Sequence, residues 1–106
     1  MSGSGREPTG GPWAGGGSAE DCDFTTRTVL RSPDPAGVDR IKPKDVLEVV
    51  VDEANTAVEV MVGDQRVGSI VDRVPKFVAC WRAGNRYVAE VASISDGAVT
   101  VETRRR

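Results

Sequence analysis

Two valine-rich runs separated by a few polar residues constrain this chain most. VLEVVV (46–51) is nearly continuous in apolar residues. TAVEVMV (56–62) alternates Val58, Val60 and Val62 against Ala57, Glu59 and Met61. β-Branched residues on a period of two fit a pleated surface with one buried face, and they disfavour a helix. Asp52-Glu53-Ala54-Asn55 supplies the turn between them, and Gly63-Asp64-Gln65 leads into a further short run, RVGSIV. Short strands joined by turn residues at this spacing predict an antiparallel meander.

The flanking segments extend the pattern. In CDFTTRTVLR, Phe24, Thr26, Thr28 and Leu30 share one face of a first strand. Pro33 and Pro35 end it, and Asp34 is placed to cap a short helical turn through Val38 and Ile41. Lys42-Pro43-Lys44-Asp45 then launches the valine run. VPKFVACWRAG reads as a helix: Pro75 suits the first turn, Val74, Phe77, Val78 and Trp81 form one stripe, and Gly84 supplies a left-handed stop. RYVAEVASIS and AVTVETR flank Asp96-Gly97, a two-residue hairpin turn. On the first of these strands Tyr87, Ala89, Val91 and Ser93 are expected on one face. The whole predicts an α+β, mostly β domain: a small six-stranded bent antiparallel sheet or partly open barrel, with one short turn of helix and one capping helix.

Composition sets the domain limits. Residues 1–20 hold 7 of the 12 glycines and two prolines, with Trp13 as their one large apolar group. Such a segment cannot recover the entropy lost on ordering, so residues 1–21 are expected to form a disordered tail. Residues 22–106 are then one small β-barrel-like domain, and Trp13 is a candidate partner-docking anchor in the tail. No apolar stretch reaches the roughly 18 residues needed to cross a bilayer, and the N-terminus lacks an apolar signal core. A cytoplasmic protein with free Cys22 and Cys80 thiols is therefore expected in preference to a disulfide.

Chemistry is constrained by what is missing. The chain has no histidine, the most frequent general base and metal ligand. Two cysteines alone fall short of the four ligands a structural zinc site takes. Asp34, Asp45, Asp52, Asp64 and Asp96 fall in turns, where aspartate has a structural role, and Glu48, Glu59, Glu90 and Glu102 fall on solvent-facing strand positions. Neither a nucleophile elbow nor a phosphate-cradling glycine loop occurs. No catalytic residue, metal or cofactor is expected, and the chain reads as a non-enzyme.

Charge is uneven along the chain. Residues 22–65 carry 5 basic and 9 acidic groups, while residues 66–106 carry 8 basic and 4 acidic. Within the basic half, Arg73, Lys76, Arg82 and Arg86 surround the helix, with Trp81 inside it and Tyr87 just after it. Cations interleaved with aromatics suit single-stranded nucleic acid, since the cations meet phosphates and the rings stack on bases.

The stretch from Thr56 to Glu102 also resembles the HIRAN domain, a small β-barrel-like module. The resemblance lies in the AVEVMV strand, the turn into Arg66-Val67-Gly68-Ser69-Ile70, the proline-started helix and the closing strand pair. Asp52-Glu53-Ala54-Asn55-Thr56 replaces that family's Asn-Pro-Tyr-Asp type of turn, and Ser69 stands where an aromatic is common. HIRAN domains are associated with DNA-remodelling enzymes and some bind single-stranded DNA ends, which is the ligand the resemblance implies here. Two readings follow: an interaction or adaptor module docking onto a protein partner, and, as the alternative, an accessory domain binding single-stranded DNA or RNA through Arg73, Lys76, Arg82, Arg86 and Tyr87.

Overall fold

The computed structural model describes residues 22–106. The elements run β1 (Thr25–Val29), α1 (Pro35–Val38), β2 (Val46–Asp52), β3 (Ala57–Val62), β4 (Gln65–Ile70), α2 (Val74–Arg82), β5 (Tyr87–Ser95) and β6 (Ala98–Arg105). All six strands join one antiparallel sheet in the order β1-β6-β5-β2-β3-β4. β2–β4 form the expected meander. After α2 the β5–β6 hairpin lines up on the free side of β2, and β1 pairs with β6 at the far edge.

Local chemistry explains the connections. The Asp34 carboxylate accepts from the Ala36 N–H at 3.1 Å and caps α1, whose first residue is Pro35. The Asp52 carboxylate accepts from the Ala54 and Asn55 backbone N–H groups and from Asn55 Nδ2, closing the β2–β3 turn. The Asn55 amide bonds hold the Asp52 carboxyl below the usual aspartate value. Asp96 and Gly97 both have positive φ (51° and 83°), the geometry of a type I′ hairpin turn.

The sheet curls until its two edges meet. Arg31, just past β1, bridges Ser69 in β4: each N–H donates to the other's carbonyl, at 2.8 and 2.9 Å. The Asp34 N–H adds a bond to the Val67 carbonyl at 2.8 Å. A bulge assists this closure. Val60 pairs with Gly68 but Met61 with Arg66, so Val67 is the extra residue, and bulges sharpen strand bending. Gly68 lets Leu30 approach, because a Cβ there would lie 2.9 Å from Leu30 Cβ.

The concave side of the curl is the core. Leu47, Val49 and Val51 of β2, Val58 and Val60 of β3, Val67 and Ile70 of β4, and Val99 and Val101 of β6 are all buried. β2 read as a nearly continuous apolar run, yet Val46 is exposed and Val50 half-buried, so only alternate residues reach the core. On β5 the expected face is kept through Tyr87, Ala89 and Val91 and then lost. The register shifts at Ala92, which exposes Ser93 and brings Ile94 against the core opposite Val99. α2 covers one mouth of the curl with Phe77, Val78 and Cys80 buried, while Val74 and Trp81 pack at its margin.

The expectation of free thiols is overturned: Cys22 and Cys80 form a disulfide with Cα atoms 5.6 Å apart. The fold creates the pairing by carrying α2 across the mouth to the residues preceding β1. Phe24, Phe77 and Tyr87 pack beside it with ring centroids 5.1–5.3 Å apart. The Tyr87 hydroxyl donates to the Cys22 carbonyl.

Burial pushes the Tyr87 phenol above its ordinary value of 10.0. The fold thus favours the neutral phenol. Its contribution is complete below the unfolded pKa of about 10 and is lost as pH rises through the folded value. Tyr87 is the chain's single tyrosine, so tyrosinate absorbance reads it directly. The expected titration midpoint lies above that of free tyrosine; a midpoint at or below the free value, with the circular dichroism unchanged, would contradict this burial.

Candidate docking surface

The seam where the curled sheet meets itself changes character along its length. At one end it is clamped by polar bonds. Arg66 donates to Glu59 Oε1 (2.6 Å), the Ser32 carbonyl (2.8 Å) and Ser69 Oγ (2.7 Å), and Ser69 Oγ donates to Glu59 Oε2 (2.6 Å). Gln65 Nε2 adds a bond to Asp34 Oδ2 at 3.2 Å. Each member of this cluster has partners, and its role is to hold the two edges together.

Beyond the Arg31–Ser69 bridge the ladder stops. Two residues beyond the bridge on either strand stand Val29 and Val71, which no ladder hydrogen bond joins among the described residues. Both are more than half exposed, at 54% and 52%. The Leu30 N–H points to Val99 in β6, so alternation turns the N–H and C=O groups of Arg27 and Val29 towards the open edge. Farther along, Thr26 Oγ1 donates to Asp72 Oδ2 at 3.4 Å. The result is a short stretch of β1 edge without ladder bonds, held by the Arg31–Ser69 bridge at one end and the Thr26–Asp72 side-chain contact at the other, with exposed Val29 and Val71 beside it. An edge of this kind can accept main-chain hydrogen bonds and two apolar contacts from an added strand.

The residues singled out for nucleic acid fare differently. Tyr87 is 1% exposed in the aromatic cluster, where no base can stack on it. The Arg86 guanidinium sits over the Trp81 ring, its Cζ 3.7 Å from the centroid, and donates to the Trp81 and Asn85 carbonyls at the C-terminal end of α2. Arg82 Nε pairs with Glu53 Oε1 at 2.7 Å. Lys76 Nζ sits 4.6 Å from the Phe24 ring centroid. Arg73 is exposed at the N-cap of α2 with φ of 59°. The helix therefore gathers the cations, but its rings are buried or covered by those same cations. Trp13 lies outside the described residues.

Sequence reasoning missed Val29 and Val71 as surface features. The signal was present for Val29, since a face built from Phe24, Thr26, Thr28 and Leu30 puts Val29 on the other side with Arg27 and Arg31. Val71 offered no such signal, because only the sheet closure brings the end of β4 to β1. Among the described residues no group of histidine, cysteine or carboxylate side chains is arranged to hold a metal ion. None of their helices is long and apolar enough to cross a membrane.

No family model matches the chain, and no curated protein matches it. Among solved structures it is similar to a Lactobacillus plantarum protein determined as a structural-genomics target. The TM-score is 0.62 at 11% identity, over 78% of this chain and 96% of that one. At that identity the likeness is one of fold.

Proposed function

We propose that this domain is a non-enzymatic docking module that takes an extended segment of a protein partner along the open β1 edge. The observation that carries the reading is that pairing between β1 and β4 ends at the Arg31–Ser69 bridge and leaves Val29 and Val71 exposed beyond it. Main-chain bonds to the edge would supply affinity, and contacts to the two valines would select apolar residues at alternate positions. A single-stranded nucleic-acid ligand, which the HIRAN resemblance implied, is the less favoured reading. Tyr87 is inside, Arg82 is paired and Arg86 is folded onto Trp81, which leaves Arg73 and Lys76 as its main contacts. The disulfide also bears on location, since such bonds persist mainly in oxidising compartments. It favours one of those over the cytoplasm.

A displayed library of short random peptides, selected against the whole chain, tests the reading. Enriched peptides are expected to be extended, with apolar residues at alternate positions, and to change little in affinity with salt. Replacing Val29 and Val71 together with lysine should weaken them by about tenfold or more, as two lost apolar contacts require. Both side chains are exposed, so the variant should fold. Enrichment indifferent to the double variant would sink the proposal. So would tight binding of a single-stranded oligonucleotide that falls with salt by a log–log slope of about -0.7 per phosphate and is lost in Arg73→Glu/Lys76→Glu.

A further inference from the structure

Beside the clamped end of the seam lies a groove of about 480 Å³. Leu30, Pro33, Pro35 and Val38 make its apolar walls, and Asp39 and Asp96 contribute two carboxylate residues to its lining. The acids come from different elements: Asp39 is the C-cap of α1, and Asp96 opens the β5–β6 turn. Neither has an ion-pair partner among the described residues, although six other carboxylates do. Arg40, next in the chain to Asp39, reaches instead to the β3–β4 turn, where its guanidinium lies 3.6 Å from a Cβ built on Gly63. The groove is thus apolar along its walls and carries two carboxylate residues in its lining.

We infer that this groove receives a lysine or arginine side chain of the partner segment, with the aliphatic stem along the prolines and Leu30 and the cation between Asp39 and Asp96. Charge complementarity selects that occupant. A purely apolar side chain would strip water from two carboxylates without compensating them, and an acidic one would be repelled. A long basic side chain buries its methylenes and keeps its charge at the rim. The groove volume lies in the range of roughly 300–1,000 Å³ usual for small-molecule clefts, so one such side chain fits with room for neighbouring atoms. Leu30 connects the two features: it follows Val29 on the open edge and forms part of the groove wall. The inference deepens the docking proposal, and its identification of the partner as a peptide rests on that reading.

The test is an amide-resolved NMR titration of the full chain with N-acetyl-lysine-N-methylamide, compared with the norleucine and glutamate analogues. Saturable shifts are expected at Leu30, Asp39, Gly97 and Ala98, with the lysine compound about fivefold tighter than norleucine, as expected for two exposed charge contacts. The glutamate compound should not bind. Asp39→Asn with Asp96→Asn should bring lysine down to the norleucine level. Asparagine is itself favoured ahead of glycine in a type I′ turn, so this variant keeps the hairpin. Ala98→Phe, at an exposed lining position, should block both compounds. Absence of saturation, equal affinity for norleucine, or full lysine affinity in the Asn/Asn variant would each overturn the inference. The two proposals separate cleanly, because Val29→Lys/Val71→Lys should leave lysine-amide binding unchanged. Lysine binding without edge-binding peptides would leave the groove as a basic-residue receptor and remove the edge reading. Selected peptides that need the valines but show no basic residue would do the reverse.

Discussion

Replacing Cys22 and Cys80 together with alanine is expected to lower the stability of the domain by about 4 kcal/mol. The bond spans 58 residues, and the chain-entropy relation for a closed loop of that length gives this magnitude at room temperature. A folded part of about 85 residues buries a limited fraction of its surface, and the whole stability of such domains is roughly 5–15 kcal/mol. The cross-link is therefore a large share of the total. Its position explains what would be lost first. It ties α2 to the residues before β1, and the Phe24–Phe77–Tyr87 cluster and the Tyr87–Cys22 hydrogen bond depend on that attachment. Both cysteines are buried, at 0% and 3% exposure, so the native contacts given up by alanine are small and the loss is mainly in the unfolded chain. Urea denaturation of the oxidised protein, the reduced protein and the Ala/Ala variant measures the effect. The last two should share a midpoint well below the first, and iodoacetamide should label no thiol until the chain is reduced. Equal midpoints for all three would show that the cross-link contributes nothing.

The elements that sequence made legible are those set by neighbours in the chain. Asp34-Pro35 placed α1, Asp96-Gly97 placed the last hairpin, and the stripe from Val74 to Trp81 placed α2, because a cap, a turn and a helical face are each complete within a few residues. What remained hidden depends on distant pairing. Nothing near Cys22 reports Cys80, and nothing in β1 says that it lies beside β6 and returns to meet β4. The bulges at Val67 and Ala92 are likewise products of sheet curvature, which explains why Ser93 fell on the wrong face. Tyr87 is a different case. Its alternation with Ala89 and Val91 put it on an inner face, while its neighbours Arg82 and Arg86 suggested a nucleic-acid contact; the period-two pattern prevailed because a buried face must be filled. The candidate docking edge was half legible, through Val29 but not Val71.

Gly37→Ala should destabilise the domain by about 1–3 kcal/mol, the cost usual for overpacking a tight contact. The sign is what makes the prediction informative. Within a helix, alanine normally gains up to about 1 kcal/mol over glycine, through propensity and a less entropic unfolded chain. Gly37 lies in α1 but is buried against β4, and a Cβ placed there would overlap the Arg66 carbonyl oxygen and crowd Val67 Cα. Those are backbone atoms, so no side-chain rotation relieves them. Nor can that backbone yield easily: Arg66 is paired with Met61, its side chain is fixed by Glu59, Ser32 and Ser69, and the Val67 carbonyl holds the Asp34 N–H. The helix must lift instead, and with it Pro35, Val38 and Asp39, three of the residues lining the groove. Denaturation midpoints should therefore fall relative to wild type. Under conditions where the variant remains folded, lysine-amide affinity should fall too, while peptides selected for the Val29–Val71 edge should keep theirs. A midpoint equal to or above wild type would mean that α1 does not press on β4 as closely as this packing requires, and the groove would lose the rigid wall on which its selectivity depends.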